Sequence, residues 1–165
     1  MKWMLLPLKR YAEFSGRSRR KEYWMFYLGV VLLYVLLGVF LVAAGASGLN
    51  AATPEGITGL DGFAMVIVGV MGLVWLALLI PGIAVGVRRL HDIDRTGWWL
   101  MAGYGPYLLG MALFFGGMAI VGAILTALSY AGFILLFIFS LLDGTRGANR
   151  FGEDPKEVSH ESVFA

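Results

Sequence analysis

Residues 96–142 read TGWWLMAGYGPYLLGMALFFGGMAIVGAILTALSYAGFILLFIFSLL and contain no charged side chain. As one helix this run would be about 70 Å long, at about 1.5 Å per residue. The hydrocarbon core of a bilayer is only about 30 Å thick, so a single helix would be more than twice too long. The run therefore predicts two membrane-spanning helices joined by a tight turn near Phe115-Gly116-Gly117.

Two further uncharged runs, residues 23–54 and 62–87, lie before this stretch. Each is suited to one span, which needs about 20 mostly apolar residues. The first run is longer than the apolar core of a signal peptide, about 7–15 residues, so we expect a retained anchor despite the small residues at 44–46. The sequence thus predicts an all-α integral membrane protein with four transmembrane helices: Tyr23–Ala46, Gly62–Val87, Trp98–Phe115 and Met118–Leu142.

The composition excludes a soluble domain. Of 165 residues, 59% are hydrophobic and 15% charged, with a mean hydropathy of +0.77, whereas soluble domains carry about 25% charged residues. No cysteine is present, which excludes disulfides and thiolate metal sites. We divide the chain into a basic interfacial segment (1–22), a four-helix membrane domain (23–142) and a polar tail (143–165).

The basic residues predict the orientation. Of the thirteen Lys and Arg residues, seven precede the first span, three lie in residues 88–95 and three follow residue 143. The segment between the first two spans, residues 47–61, has none. Basic residues in short loops stay on the cytoplasmic side. We therefore expect both termini and the 88–95 loop in the cytoplasm of a bacterial cell, with the 47–61 segment outside.

Local patterns add detail to this topology. Trp3, Leu8, Tyr11 and Phe14 recur at helical spacing among basic residues, which predicts a short amphipathic helix in the headgroup layer. Thr96 is a candidate N-cap for the third span. Pro81 and Pro106 fall inside spans, where we expect kinks. Small residues predict two close-packing faces. These faces comprise Gly82 with Gly86, and Ala119, Ala123 and Ala127.

Three polar segments carry a more specific signature. They read FSGRSRRKEYW at residues 14–24, RRLHDIDRTGWW at 88–99 and GANRFGEDP at 147–155. Their order and their places beside the spans resemble the bacterial inner-membrane family catalogued as domain of unknown function 805. The chain has Asp94 where that family usually has Gly, and Thr96 where Ser is commoner. The resemblance implies a small multi-span membrane protein and carries no reaction with it.

The same polar segments supply the candidate functional residues. His91 and Asp92 could orient a nucleophile such as Ser15, Ser18 or Thr96, or hydrogen-bond neighbouring loops. We favour the structural role, because the other histidine, His160, lies in the polar tail and no metal-ligand spacing is present. The arginines could pair with carboxylates or bind phosphate groups. The candidate binding or structural cluster comprises Arg17, Arg20, Arg88, Arg89, His91, Asp92, Arg95, Asn149 and Arg150.

The sequence favours a non-enzymatic inner-membrane protein whose basic cytoplasmic face binds anionic lipid headgroups or a protein partner. The alternative is a small transporter or channel subunit for a neutral or lipid-like solute, since the spans contain several tyrosines but no ionisable acid or base. We expect no cofactor, no metal and no nucleic-acid partner. Membrane lipids are the expected partners, and the small-residue faces allow a homo-oligomer.

Overall fold

The computed structural model describes residues 2–50 and 58–156, with side-chain environments for residues 2–43 and 66–156. Seven of the fifteen residues of the predicted outer segment, 51–57, and the end of the tail, including His160, lie outside the described residues. Within the described ranges the regular elements are helices, and an isolated bridge joins Asn149 to Gly152. The helices are α1 (Lys2–Lys9), α2 (Arg20–Asn50), α3 (Thr58–Asp92), α4 (Met101–Phe115) and α5 (Ala119–Leu141).

Three of these helices are long and apolar enough to cross a membrane. They are α5 and the segments Arg20–Ala43 of α2 and Val66–Asp92 of α3, within the described residues. The predicted third span, Trp98–Phe115, is not one continuous α-helix and is not among these three. A 3₁₀ turn, Gly97–Leu100, precedes α4, and α4 itself has 15 residues. At about 1.5 Å per residue α4 is about 22 Å long, shorter than a hydrocarbon core.

The helices form two groups. The most extensive contact joins α4 to α5, and the next joins α2 to α3, with α1 packed on α2. The two groups meet over a much smaller area, mainly where α3 contacts the 3₁₀ turn and α5 contacts α2 and α3. Aromatic pairs lie at this junction: Trp24 with Phe137 and Trp99 with Phe139, with ring centroids 5.8 and 5.4 Å apart.

Glycines on both helices let α4 and α5 approach closely. A Cβ on Gly110 would lie 2.5 Å from Thr126 Oγ1, and one on Gly122 would lie 2.5 Å from Phe114 N. A Cβ on Gly132 would overlap the Ala102 carbonyl group. The predicted alanine face of α5 is wrong for this contact, because Ala119, Ala123 and Ala127 are exposed. The physical reason is that the α4 and α5 backbones lie so close together that only glycine, which has no methyl group, fits where they touch.

The amino-terminal helix is shorter than the sequence pattern predicts. It ends at Lys9, so Tyr11 and Phe14 lie beyond it. The Tyr11 hydroxyl donates to the Ala77 carbonyl of α3 at 2.7 Å, and Met4 lies against Gly29 of α2. Arg19 lies over the Trp3 ring, 4.5 Å from its centroid. The helix therefore packs across α2 and α3 as well as carrying exposed apolar residues.

The predicted cap at Thr96 is absent, whereas the predicted packing face at Gly82 and Gly86 is present. Thr96 occupies the N-cap position of the 3₁₀ turn, but its side chain makes no capping hydrogen bond, so that part of the prediction is wrong. Gly82 and Gly86 do face neighbours. A Cβ on Gly82 would lie 3.8 Å from the Tyr27 hydroxyl, and one on Gly86 would lie 3.7 Å from Leu100. These are ordinary contact distances, looser than those between α4 and α5.

Candidate functional site

The three polar segments meet at one end of the bundle, which we call the basic end: residues 16–22, 88–95 and 143–156. Here the chain buries charged side chains that are rare in protein interiors. Arg88, Arg89 and Asp92 of α3 are at most 2% exposed. Arg17, which precedes α2, and Glu22, in the first turn of α2, join them. Burial of this kind requires partners for each charge, and most of them have one.

Asp92 is the centre of the cluster. Its Oδ1 accepts from Arg17 Nε at 3.1 Å, and its Oδ2 accepts from Arg89 Nη1 at 2.5 Å. Each carboxylate oxygen therefore has its own guanidinium. A Cβ on Gly144 would overlap Asp92 Oδ2, so glycine is required for the chain after α5 to pass this carboxylate. Charge-assisted pairs of this geometry are the strong class of hydrogen bond.

The arginines of the cluster also cap backbone ends. Arg89 Nε donates to the Ser140 carbonyl at 3.2 Å, and its Nη2 donates to Leu142 O. These carbonyls belong to the end of α5, where helical hydrogen-bond donors run out. Arg17 donates to Thr145 O at 2.5 Å and Gly147 O at 2.6 Å. Arg89 thus stabilises the partly negative C-terminal end of α5, and Arg17 holds the loop that follows it.

The segment after α5 in turn caps the end of α3. Thr145 N donates to the Asp92 carbonyl at 2.8 Å, and Asn149 Nδ2 donates to the His91 carbonyl at 2.9 Å. Asn149 Oδ1 accepts from Phe151 N at 2.9 Å, which closes the turn ending at Gly152. Helix α3 therefore caps α5 through Arg89, and the segment following α5 caps α3. This reciprocal capping joins the two helix groups.

His91 lies between the first and third polar segments. Its ring stacks on Phe151 with centroids 3.9 Å apart and planes 3° from parallel. Its Nδ1 lies 3.1 Å from the Gly16 carbonyl. Ser18 N donates to the Arg88 carbonyl at 3.0 Å, which ties the same segment to α3. These contacts occupy one ring face and one ring nitrogen of His91 in positioning the loops.

Arg88 has fewer hydrogen-bond partners than Arg89. Its Nη2 donates to Glu22 Oε1 at 3.2 Å, while Nε and Nη1 are buried without a hydrogen-bond partner, as is Ser18 Oγ. Glu13 lies 3.9 Å from Arg88 Nη1 but makes its two hydrogen bonds to Arg10, both at 2.7 Å. The hydrogen bond from Arg10 lowers the pKa of the Glu13 carboxyl below its usual value.

The remaining predicted residues lie at the exposed rim. Arg20 donates to Leu141 O at 2.9 Å and pairs with Asp143. Arg150 Nε donates to Asp94 Oδ1 at 3.0 Å and lies over the Phe151 ring. Arg95 lies 5.7 Å from the Trp99 ring centroid. Asp94 has a φ of 58°, a left-handed conformation that glycine adopts most easily and that Asp tolerates.

The structure separates the nine predicted residues into a network of five, Arg88 beside it, and three at the rim. Arg17, Arg89, Asp92, Asn149 and His91 join in one connected network. Arg88 pairs with Glu22 beside it, whereas Arg20, Arg95 and Arg150 lie around the rim. Sequence reasoning omitted four residues of the site: Glu22, Gly144, Thr145 and Phe151. Glu22 and Phe151 lay within the quoted motifs and could have been included, but nothing in the sequence marks Gly144 or Thr145.

The apolar helices define a helical membrane protein, and a buried ion-pair cluster joins its helices at one end. The chain belongs to the family described as "Protein of unknown function (DUF805)", which matches residues 11–153. Inner membrane protein YhaI of Escherichia coli (strain K12) is 32% identical over 156 residues, covering 94% of this chain and 97% of the relative. Inner membrane protein YhaH of the same strain is 34% identical over 156 residues, covering 94% and 98%. No solved structure matches the chain.

Proposed function

We propose that this chain is a non-enzymatic inner-membrane protein whose basic end binds anionic lipid headgroups. The observation that carries the proposal is the division of the basic residues by exposure. Arg17, Arg88 and Arg89 are buried and engaged with carboxylates and carbonyls. A second set is exposed: Lys2, Lys9, Arg20, Lys21, Arg95, Arg146, Arg150 and Lys156.

The buried set supports a rigid platform for the exposed set. Side chains from three separate segments are tied to one network, so the rim residues are carried by fixed backbone. Each Lys or Arg near an anionic membrane surface contributes about 1 kcal/mol of attraction. Lys21 lies over the Trp3 ring, 5.6 Å from its centroid, and Trp favours the headgroup layer. The rim is therefore suited to contact phosphate groups of that leaflet.

The engagement of His91 and Asp92 supports a non-enzymatic role. Both Asp92 oxygens accept from guanidinium groups, so the hydrogen bonds of this carboxylate in the structure join Arg17 and Arg89. His91 Nδ1 faces a backbone carbonyl and its ring stacks on Phe151. A His-based general base needs its substrate proton within about 3 Å and an orienting partner. We assign His91 and Asp92 to positioning the polar segments.

We infer four spans with both termini in the cytoplasm. The 3₁₀ turn and α4 together cover residues 97–115, about 30 Å when 3₁₀ residues rise about 2.0 Å and α residues about 1.5 Å. With this combined element as the third span, every basic residue lies on one side, as the positive-inside rule requires. Three spans would place the tail opposite the segment with which it shares the cluster.

Single-cysteine labelling tests the orientation directly, because the chain has no native cysteine. Cysteines replace Ser47, Asp94 or Ser162, and a membrane-impermeant maleimide is added to intact cells and to opened ones. We expect Ser47→Cys to react in intact cells, and the other two only after opening. Labelling of Asp94→Cys or Ser162→Cys in intact cells would disprove the four-span orientation.

Thermal stability in nanodiscs tests the headgroup proposal. The measurement compares discs of phosphatidylglycerol with discs of phosphatidylcholine, since a ligand that binds the folded state raises Tm. We expect a higher Tm in phosphatidylglycerol, reduced in a Lys21→Gln/Arg146→Gln variant and retained in the charge-preserving Lys21→Arg/Arg146→Lys control. Equal Tm values in the two lipids, or an equal loss in both variants, would overturn headgroup binding.

A further inference from the structure

A pocket opens where the two helix groups meet. Its cavity is about 160 Å³ and is walled by α2, α3, the 3₁₀ turn, α4 and α5. The lining residues that matter here are Tyr23, Tyr27, Gly82, Leu100, Tyr104 and Phe133. Tyr23 lies three residues, about one helical turn, from Arg20, so the pocket begins just inside the rim of the basic end. It is separate from the buried ion-pair cluster.

The pocket has room because two of the three α3 residues that line it, Gly82 and Gly86, have no side chain; the third is Ile83. Gly82 and Gly86 of α3 face Tyr27 and Leu100 at ordinary contact distances for an added Cβ. Opposite them, Tyr104 meets Phe133 edge to face, with centroids 5.1 Å apart. Tyr23 and Tyr27 contact each other with centroids 4.8 Å apart. The walls are therefore aromatic and aliphatic, with phenol groups as the polar component.

The size and place of the pocket indicate its occupant. An apolar cavity of about 150 Å³ holds a molecule of six carbons such as benzene, so this one accepts a short stretch of a hydrocarbon chain. Exposed apolar side chains border it, including Ile83 and Phe137, and in a membrane these contact lipid. An empty cavity would forfeit the dispersion contacts of its walls. The Tyr27 hydroxyl donates to the Gly82 carbonyl at 3.5 Å. The phenol hydroxyls of Tyr23 and Tyr104 are donors suited to the ester carbonyls at the top of a lipid chain, which are acceptors.

We propose that this pocket holds one acyl chain of a phospholipid from the leaflet at the basic end, with its ester group beside the tyrosines. The site selects for the chain and the ester and makes no use of headgroup charge. It therefore goes beyond the headgroup binding proposed above and stands independently of it. A bound chain wedged between the two helix groups adds contact where their own contact is small.

Photo-crosslinking tests the site with a zwitterionic probe. The full chain is reconstituted with phosphatidylcholine bearing a diazirine on one acyl chain, placed either near the ester or at the chain end. Crosslinked residues are mapped by mass spectrometry after irradiation. For the near-ester probe we expect Tyr104, Phe133 and their pocket neighbours to be labelled about fivefold more than lipid-facing Leu128, the ratio that about 1 kcal/mol produces. The chain-end probe should not show this preference.

Variants of α3 give matched controls. Gly82→Leu fills the pocket, whereas Gly72→Leu puts the same side chain on the same helix with nothing within 4 Å of its Cβ. We expect Gly82→Leu to remove the fivefold preference and Gly72→Leu to keep it. Gly82→Ala, whose Cβ meets only ordinary contacts, should give an intermediate loss. It also serves as the folded variant if Gly82→Leu does not fold.

The outcomes separate a site from ordinary surrounding lipid. Uniform labelling of pocket and lipid-facing residues in the unsubstituted protein would overturn the proposal. So would a preference that both Gly82 variants leave unchanged. Because phosphatidylcholine carries no net charge, failure of the headgroup experiment leaves these results unaffected.

Discussion

The basic end and the α4–α5 contact join helices by opposite means. At the basic end, long charged side chains reach across segments, and Asp92 gathers two guanidinium groups. Between α4 and α5 there are no charges, and glycines such as Gly110 and Gly122 let the backbones touch. The first contact depends on matched charges and hydrogen bonds. The second depends on the absence of side-chain volume.

The difference follows from where each contact lies. Within the apolar spans a charge is costly, and lipid offers no hydrophobic drive for helices to associate, so close packing supplies the attraction. At the helix ends, backbone carbonyls lack helical partners and need donors. Arg89 donates to the Ser140 carbonyl near the end of α5, and Arg17 donates to the Asp92 carbonyl at the end of α3. Substitutions at the basic end should therefore lower stability by leaving charges unpaired, and those between α4 and α5 by adding side-chain volume.

The largest effect is expected for Asp92→Ala. It leaves Arg17 and Arg89 buried without their shared carboxylate, and breaking a buried pair in this way costs about 3–5 kcal/mol. Purified protein in detergent should show a sharply lower Tm and a smaller folded fraction by size-exclusion chromatography. Asp143→Ala is the control, because its exposed pair with Arg20 is worth about 0–1 kcal/mol. Equal losses in the two variants would contradict a special role for Asp92.

The next effect is expected for Gly132→Ala in the glycine contact. The added methyl overlaps the Ala102 carbonyl group, and overpacking costs about 1–3 kcal/mol. Alanine in a helix otherwise gains about 0.5–1 kcal/mol over glycine. Gly38→Ala, with nothing within 4 Å of its Cβ, should therefore keep or raise Tm while Gly132→Ala lowers it. A raised Tm in both would show that α4 and α5 are not in backbone contact.

A smaller effect is expected from coupling within the basic end. Arg88→Met leaves Glu22 buried without its cation, whereas Arg88→Met with Glu22→Gln removes both charges. Replacing a buried ion pair by apolar groups is often neutral, while removing one partner is costly. We expect the double variant to lose less stability than the single variants Arg88→Met and Glu22→Gln lose together. The difference, the coupling energy, should be about 0.5–3 kcal/mol. Additive losses in Tm-derived free energies would mean that this pair is not coupled.

The smallest effect is expected for Asp94→Gly. Glycine adopts the positive φ of this residue freely, and the exposed ion pair with Arg150 that it loses contributes about 0–1 kcal/mol. These changes oppose each other, so Tm should stay nearly constant. Asp94→Val keeps the loss and adds left-handed strain of about 1–2 kcal/mol, which should lower Tm. If Asp94→Gly lowered Tm as much as Asp94→Val, the ion pair, and not the backbone conformation, would dominate the stability of this turn.

The sequence alone predicted an all-helical membrane protein and the polar segments that meet at the basic end. Charge-free runs locate apolar helices because the cost of burying an unpaired charge in lipid is large and local. The three polar motifs resembled a family, and the match over residues 11–153 confirms that resemblance. The motifs did not separate Arg17, Arg89, His91, Asp92 and Asn149, which join in one network, from residues that lie at the rim: Arg20, Arg95 and Arg150.

Only the tertiary structure decided how these residues are used. The sequence does not show that Gly144 must pass Asp92, or that Gly122 and Gly132, and not the alanines at 119, 123 and 127, carry the α5 contact. Nor does it show that the third apolar segment begins as a 3₁₀ turn. Periodicity and charge are properties of one segment. Close approach, capping partners and pocket walls depend on distances between segments, which only the packed chain fixes.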